Sequence, residues 1–245
     1  MASAVVLLLL GSAWGLVGTS SVFVAPGVEV RVEQHFLESP IAQPRRRGRS
    51  GDLTGLKSWP TSVPLLRYLA DGVAGLRVIE LGAGSGTLGI GLAALGAHVV
   101  LTDPAIDVVL DNDVETNTLD LLQGNVDRNR AVVGDRAKVA PLVWGDAGHL
   151  RALAPSDFDL VVAADVLYNP DNYDALAATL ATFNTRAVIG YQPRIPTEHR
   201  FFDAMLNTKH RFRLAHSGSL CYDHNLHTRE GTVGRVCVLE PPAFT

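Results

Sequence analysis

Short apolar runs alternate with amphipathic stretches along most of this chain, and the change of hydrophobic period marks out its elements. After Pro26, "VEVRVEQ" alternates apolar and polar positions and predicts a half-exposed strand. Residues 38–56 form a polar connection rich in Pro, Gly and Arg. In "WPTSVPLLRYLADG" (59–72), Thr61 and Ser62 offer capping hydroxyls and a proline sits in the first turn. Leu65, Leu66, Leu69 and Val73 then share one helical face, with Gly72 suited to the exit.

From there strand and helix alternate. "LRVIEL" (76–81) reads as a nearly all-apolar strand, "TLGIGLAALG" (87–96) as a helix of small residues and "AHVVLTD" (97–103) as the next strand. A helical region is predicted around 113–127, followed by buried-type strands in "AKVAPLVW" (137–144) and "DFDLVVAAD" (157–165). A helix near 171–183 leads to the strand "RAVIGY" (186–191), and Pro196 opens a helix carrying Phe202, Met205 and Leu206. Two last strands, "RFRLAH" (211–216) and "GRVCVLE" (234–240), are joined by a polar loop too short for a crossover helix. Continuous apolar strands alternating with helices predict an α/β fold: a doubly wound, Rossmann-like parallel sheet covered on both faces. The helix-less last connection predicts an antiparallel closing strand.

Composition bounds this picture. At 245 residues and 47% hydrophobic, the chain can bury one full core, so residues 21–245 are expected to form a single domain. Residues 1–20 stand apart. Their apolar stretch has the length of a signal peptide, yet no Lys or Arg precedes it, and Gly11 and Gly15 break it too early for a membrane span. A cleaved targeting segment, a packed or disordered N-terminus and a misplaced gene start all remain open, and no stable membrane insertion is expected. The net charge of −4 argues against a nucleic-acid partner. The basic run Arg45, Arg46, Arg47 and Arg49 lies among Pro44, Gly48 and Gly51 and reads as a solvated loop. Two cysteines, Cys221 and Cys237, make no disulfide framework. "CYDHNLH" (221–227) offers too few ligands for a zinc site, so no metal is expected, and no G-x-S-x-G nucleophile elbow occurs.

The chemistry concentrates at the end of "LRVIEL". Gly82, Gly84 and Gly86 follow that strand at once and a helix starts behind them, a turn in which backbone can approach a ligand closely. Asp103 ends the next strand, where a carboxylate can accept hydrogen bonds from ribose hydroxyls. Together these predict an adenosine-type cofactor. Gly84, Gly86 and Gly89 formally satisfy the dinucleotide fingerprint. Glu80, two residues before the first glycine, argues the other way, because a carboxylate would repel a pyrophosphate and suit an ammonium and a sulfonium. The expected cofactor is therefore S-adenosylmethionine.

"TGLKSWP" (54–60), "ELGAGSGTLGIGLAALGAHVVLTD" (80–103), "VWGD" (143–146) and "FDLVVAADVLY" (158–168) occur in this order. The set resembles the seven-β-strand protein-lysine methyltransferases of the methyltransferase-like group, lysine methyltransferase family 16 type, over roughly residues 22–240. Asp165-Val166-Leu167-Tyr168 matches their D-x-x-Y motif. The resemblance implies a class I methyltransferase sheet of seven strands and transfer of a methyl group to a lysine of a protein substrate. By position, Trp59 would line the methionine end of the cofactor and Gly82, Ala83 and Gly84 would pass beneath it. Asp103 would hold the ribose, Trp144 would meet the adenine and Ala164 would touch the cofactor from the fourth strand. Asp165 and Tyr168 would be catalytic. Purely structural roles stay open beside these: Trp59 and Trp144 as core aromatics, Asp165 as a helix cap, Tyr168 packed against backbone.

The D-x-x-Y logic is one of capture and aim. A lysine ammonium has an unperturbed pKa of about 10.4, so presenting it as a neutral amine at pH 7 costs about 4.6 kcal/mol. Asp165 favours the charged form; an adjacent sulfonium and desolvation favour the neutral one. With the donor already activated, alignment supplies most of the catalysis. The resemblance also implies a monomer working in the cytoplasm, although the apolar N-terminus allows secretory or organellar targeting. A small-molecule or histidine acceptor, a cofactor-binding module without catalysis and a dinucleotide oxidoreductase remain as alternatives. The chain departs from the family in its N-terminus, its arginine cluster and its long acidic stretch "DPAIDVVLDNDVETN" (103–117).

Overall fold

The computed structural model describes residues 6–10, 17–35, 58–109, 115–194, 196–206, 210–220 and 234–242, so the arginine cluster and "CYDHNLH" lie outside the described residues. The first elements are strands β1 (Val6–Leu10), β2 (Val17–Ala25) and β3 (Val28–His35), a three-stranded antiparallel sheet in that order. The period-two pattern of β3 is one-faced. Val30 and Val32 are buried beside Val22 and Val24 of β2, while Arg31 between them is exposed.

After α1 (Ser62–Leu69) the chain alternates β4 (Arg77–Leu81), α2 (Thr87–Ala94) and β5 (His98–Asp103). A small hairpin, β6 (Asp107–Val109) with β7 (Glu115–Asn117), precedes α3 (Thr118–Arg128) and the short α4 (Arg130–Val133). Then come β8 (Ala137–Pro141), α5 (Ala147–Ala152), β9 (Leu160–Ala164), α6 (Tyr173–Phe183), β10 (Ala187–Tyr191), α7 (His199–Leu206), β11 (Arg213–Leu220) and β12 (Gly234–Glu240). Seven strands form the main sheet in the order β11-β12-β10-β9-β4-β5-β8. Strands β8, β5, β4, β9 and β10 are parallel, and β12 closes the sheet antiparallel to both β10 and β11. This is the expected doubly wound sheet with its closing strand.

Alternate residues of each central strand feed two cores. Val78 of β4 and Val162 of β9 pack towards α1, α2, α3 and the N-terminal sheet. Ile79 and Val161 pack on the other face with α6 and α7. Leu65 and Leu66 of α1 are fully buried, each contributing about 2 kcal/mol of apolar transfer.

Three local expectations need correction. The helix expected around 113–127 starts only at Thr118; residues 115–117 pair with 107–109 instead, and the Asn117 side chain caps the helix by accepting from Leu119 N–H at 2.9 Å. Thr61 precedes α1 without a side-chain capping bond, because its hydroxyl is engaged elsewhere. The helix that Pro196 was expected to open starts only at His199; it carries Phe202, Met205 and Leu206, and its core face is Phe201 and Met205.

Two asparagines, Asn125 in α3 and Asn129 just past its end, also bind the main chain of β3. Asn129 accepts from Arg31 N–H and donates to Arg31 C=O; Asn125 does the same with Glu33 at 2.7 and 2.9 Å. Asn125 additionally donates to Ser85 C=O at 2.8 Å, so one buried amide ties the N-terminal sheet to the glycine-rich turn. Among the described residues no helix is long and apolar enough to cross a membrane.

Candidate active site

The order of strands reverses around β4, since β5 and β8 follow on one side while β9 and β10 return on the other. Ligands of doubly wound sheets lie at such a point, beyond the carboxyl ends of the strands. A cavity of about 250 Å³ opens there. Each strand end supplies part of its wall: Gly82 and Gly84 after β4, Asp103 at the end of β5, Leu142, Val143 and Trp144 after β8, and Ala164 at the end of β9 with Asp165, Val166 and Tyr168 beyond it. Trp59 reaches it from ahead of α1. Eight of the ten expected site residues therefore meet around one space: Trp59, Gly82, Gly84, Asp103, Trp144, Ala164, Asp165 and Tyr168. With strands about 4.8 Å apart and β4 between them, the β5 and β9 ends stand roughly 10 Å apart. Asp103 and Asp165 thus belong to opposite sides of the cavity.

At Gly82 the backbone has φ +68°, and a Cβ would sit 3.0 Å from Val166 Cγ1 and 3.3 Å from Trp144 Cζ2. Only glycine combines that conformation with that approach. Asp103, nearly fully buried, accepts Gly84 N–H through Oδ2 at 2.9 Å, so the acid of β5 holds the glycine turn in place. Thr118 accepts Ile106 N–H at 3.1 Å, which keeps the loop after β5 against the cavity, where Pro104 and Ile106 join the wall.

Glu80 and Ala83 are not part of the wall. Ala83 packs against the apolar core. Glu80 corrects the electrostatic argument. Its position on β4 points it towards α2, where it is 1% exposed and accepts Gly89 N–H through Oε2 at 2.9 Å. A Cβ on Gly89 would lie 2.3 Å from that oxygen. Burial pushes the Glu80 carboxyl up to about 8, against the Gly89 hydrogen bond, with Asp103 pushing further in the same direction. Glu80 thus tethers α2 through Gly89, with its carboxyl shifted towards the protonated form, and does not line the cavity.

Asp165 is held in a left-handed conformation, φ +60°, by bonds on every side. Its Oδ2 accepts the Thr61 hydroxyl at 2.6 Å; its Oδ1 accepts Gln192 N–H at 3.0 Å and Arg194 Nη1 at 3.1 Å. The Arg194 guanidinium also lies over the Trp59 ring, 5.2 Å from its centroid. The sequence reading missed Arg194, since nothing near it marks a site. It also missed Ile106, Leu142, Val143 and Val166, whose signal was only their place beside Asp103, Trp144 and Asp165. Among the described residues no group of three metal-ligand side chains gathers.

The profile of a family described as lysine methyltransferase matches residues 47–208. Mouse protein N-lysine methyltransferase METTL21A is 36% identical over 126 residues, covering 50% of this chain and 52% of that protein. EEF1A lysine methyltransferase 3 of Xenopus tropicalis is 31% identical over 158 residues, covering 63% and 58%. The chain thus spans between about half and three-fifths of the length of these curated relatives. Among solved structures, magnesium protoporphyrin IX methyltransferase from Synechocystis PCC 6803 aligns with a TM-score of 0.51 at 19% identity over 74% of this chain and 78% of that one. A SAM-dependent methyltransferase from Agrobacterium tumefaciens gives 0.51 at 14% identity over 94% and 72%. At such identities these two structures bear on the fold alone.

Proposed function

The chain belongs to the lysine methyltransferase family, and on that premise we propose that it transfers a methyl group from S-adenosylmethionine to a lysine side chain of a protein substrate. The observation that carries the reading is the charge of the cavity wall. Asp103 and Asp165 line it, and among the described residues no Lys, Arg or His does, Arg194 meeting Asp165 from outside the wall. A pyrophosphate would meet the Asp103 carboxylate on one side and an Asp165–Arg194 pair without net positive charge on the other, whereas a sulfonium and an ammonium are suited to it. The preference for the methyl donor that Glu80 was expected to supply thus rests first on Asp103.

The residues fit the cofactor. Asp103 holds the glycine turn through Oδ2 and stands at the cavity wall, where its carboxylate could accept ribose hydroxyls. At Gly82 the backbone comes close under Val166 and Trp144, an approach that a side chain there would block. When bound, S-adenosylmethionine supplies a methyl carbon on sulfur that departs as a neutral thioether with the electron pair of the broken bond. Everything else falls to the chain. Trp59 and Tyr168 flank the approach to Asp165 and exclude water from it. Asp165, fixed by Thr61 and Gln192, offers a hydrogen-bond acceptor that aims the lysine nitrogen. Desolvation between these side chains favours the neutral amine, whose lone pair must face the methyl carbon. The proton lost when the lysine ammonium becomes the neutral amine leaves through solvent before transfer, and the product is a methylammonium.

The test is incubation of the purified full chain with tritium-labelled S-adenosylmethionine and a cell extract, the label being mapped by mass spectrometry. Label on a protein lysine is expected. Label confined to small molecules or to another residue type, or calorimetry showing NAD bound and the methyl donor ignored, overturns the reading.

A further inference from the structure

The carboxylate that should greet the lysine already has a cationic partner within the chain. Arg194 follows β10, 29 positions after Asp165, and its Nη1 lies 3.1 Å from Asp165 Oδ1. The carboxylate is 1% exposed and the arginine side chain 32%, so the pair sits at the boundary between cavity and solvent. The guanidinium is not free to wander. Nη2 donates to Gln192 Oε1 at 2.9 Å, the backbone N–H donates to Glu198 Oε1 at 2.8 Å, and the guanidinium carbon stands 5.2 Å from the centroid of Trp59. Arg194 thus contacts both residues, Asp165 and Trp59, that form the reactive side of the cavity, without itself lining it.

This arrangement addresses a difficulty in the reaction. A bare buried carboxylate would bind the lysine as an ammonium, which has no lone pair to give. A carboxylate already paired to a guanidinium still accepts hydrogen bonds, since it has about four lone-pair sites, but it no longer presents net negative charge. We propose that Arg194 is a positioning residue that balances the charge of Asp165 and braces Trp59, so that the reactive end of the cavity meets a lysine with a neutral ion pair instead of an anion. The inference rests on the methyltransferase reading above.

The test compares the affinities of the full chain for cationic S-adenosylmethionine and its uncharged product S-adenosylhomocysteine, measured by calorimetry for wild type, Arg194→Gln, Arg194→Lys and Asp165→Asn. Arg194→Gln leaves Asp165 unbalanced and is expected to strengthen the sulfonium relative to the thioether by about ten-fold, the scale of one charge a few ångströms off at a partly solvated site. Arg194→Lys restores the wild-type ratio. Asp165→Asn leaves Arg194 unbalanced and moves the ratio the other way, which keeps the test alive should Arg194→Gln not fold. A purely structural role weakens both ligands together and leaves the ratio unmoved; that result overturns the inference. Wild type binding neither compound instead overturns the cofactor reading, and the inference with it.

Discussion

Replacing Glu80 by glutamine keeps the size of the side chain and an oxygen for Gly89 N–H, but removes the ability to ionise. In the wild type the carboxyl is 1% exposed, and burial raises it from its ordinary 4.5 to about 8. The folded state therefore holds this proton more tightly than the unfolded chain. Stability from the protonated form is complete below 4.5 and is lost as pH climbs towards 8. At about 1.36 kcal/mol per pH unit, less the rounding near each pKa, one such group removes about 3–4 kcal/mol of stability between about pH 5 and about pH 8. Glu80→Gln should be free of that loss. Urea unfolding of both proteins across this range should show similar stabilities at the acid end and a variant about 3–4 kcal/mol more stable at the alkaline end. Cofactor affinity should change little, because Glu80 is absent from the cavity wall. A stability difference that does not vary with pH, or a wild type that gains on the variant as pH rises, refutes the reasoning. So does a large loss of cofactor affinity, which would return Glu80 to the ligand.

The remaining expectations concern the cavity and its supports. Asp165→Ala and Tyr168→Phe should depress methyl transfer far more than cofactor affinity, whereas Asp103→Ala, which strips Gly84 N–H of its acceptor, should weaken cofactor binding by about one to two orders of magnitude; turnover and calorimetry on the same preparations separate the two. Gly89→Ala should destabilise by about 1–3 kcal/mol in thermal unfolding, since the added methyl meets Glu80 at 2.3 Å and Leu101 at 2.7 Å. Asn125→Ala removes a buried side chain that bridges Glu33 and Ser85, and should cost about 2–4 kcal/mol in unfolding free energy. It should also speed hydrogen exchange at Glu33 N–H before the core strands open.

Local pattern sufficed for the sheet. The apolar runs of β4, β5, β9 and β10 and the small-residue helix α2 are legible because burial on both faces demands continuous hydrophobicity, a property of adjacent residues. Gly82 and Asp103 were legible for a related reason: a turn that follows a central strand must lie at the ligand end of such a fold. Resemblance to the family added Trp59, Trp144, Ala164, Asp165 and Tyr168, and the structure gathers them at that end. What a side chain faces once it arrives was not legible. Glu80 is aimed by the pleat of β4 at Gly89, on the layer away from the ligand. Thr61, a capping residue by sequence, spends its hydroxyl on Asp165 across 104 positions. Asn125 and Asn129 look like solvated helix residues until β3 arrives, 92 and 98 positions away, to claim their amides. Arg194 meets Asp165 only because β9 and β10 end side by side. Hydrophobic periodicity is written residue by residue, but hydrogen bonds and charge pairs form between groups that only the packing of distant strands brings within about 3 Å.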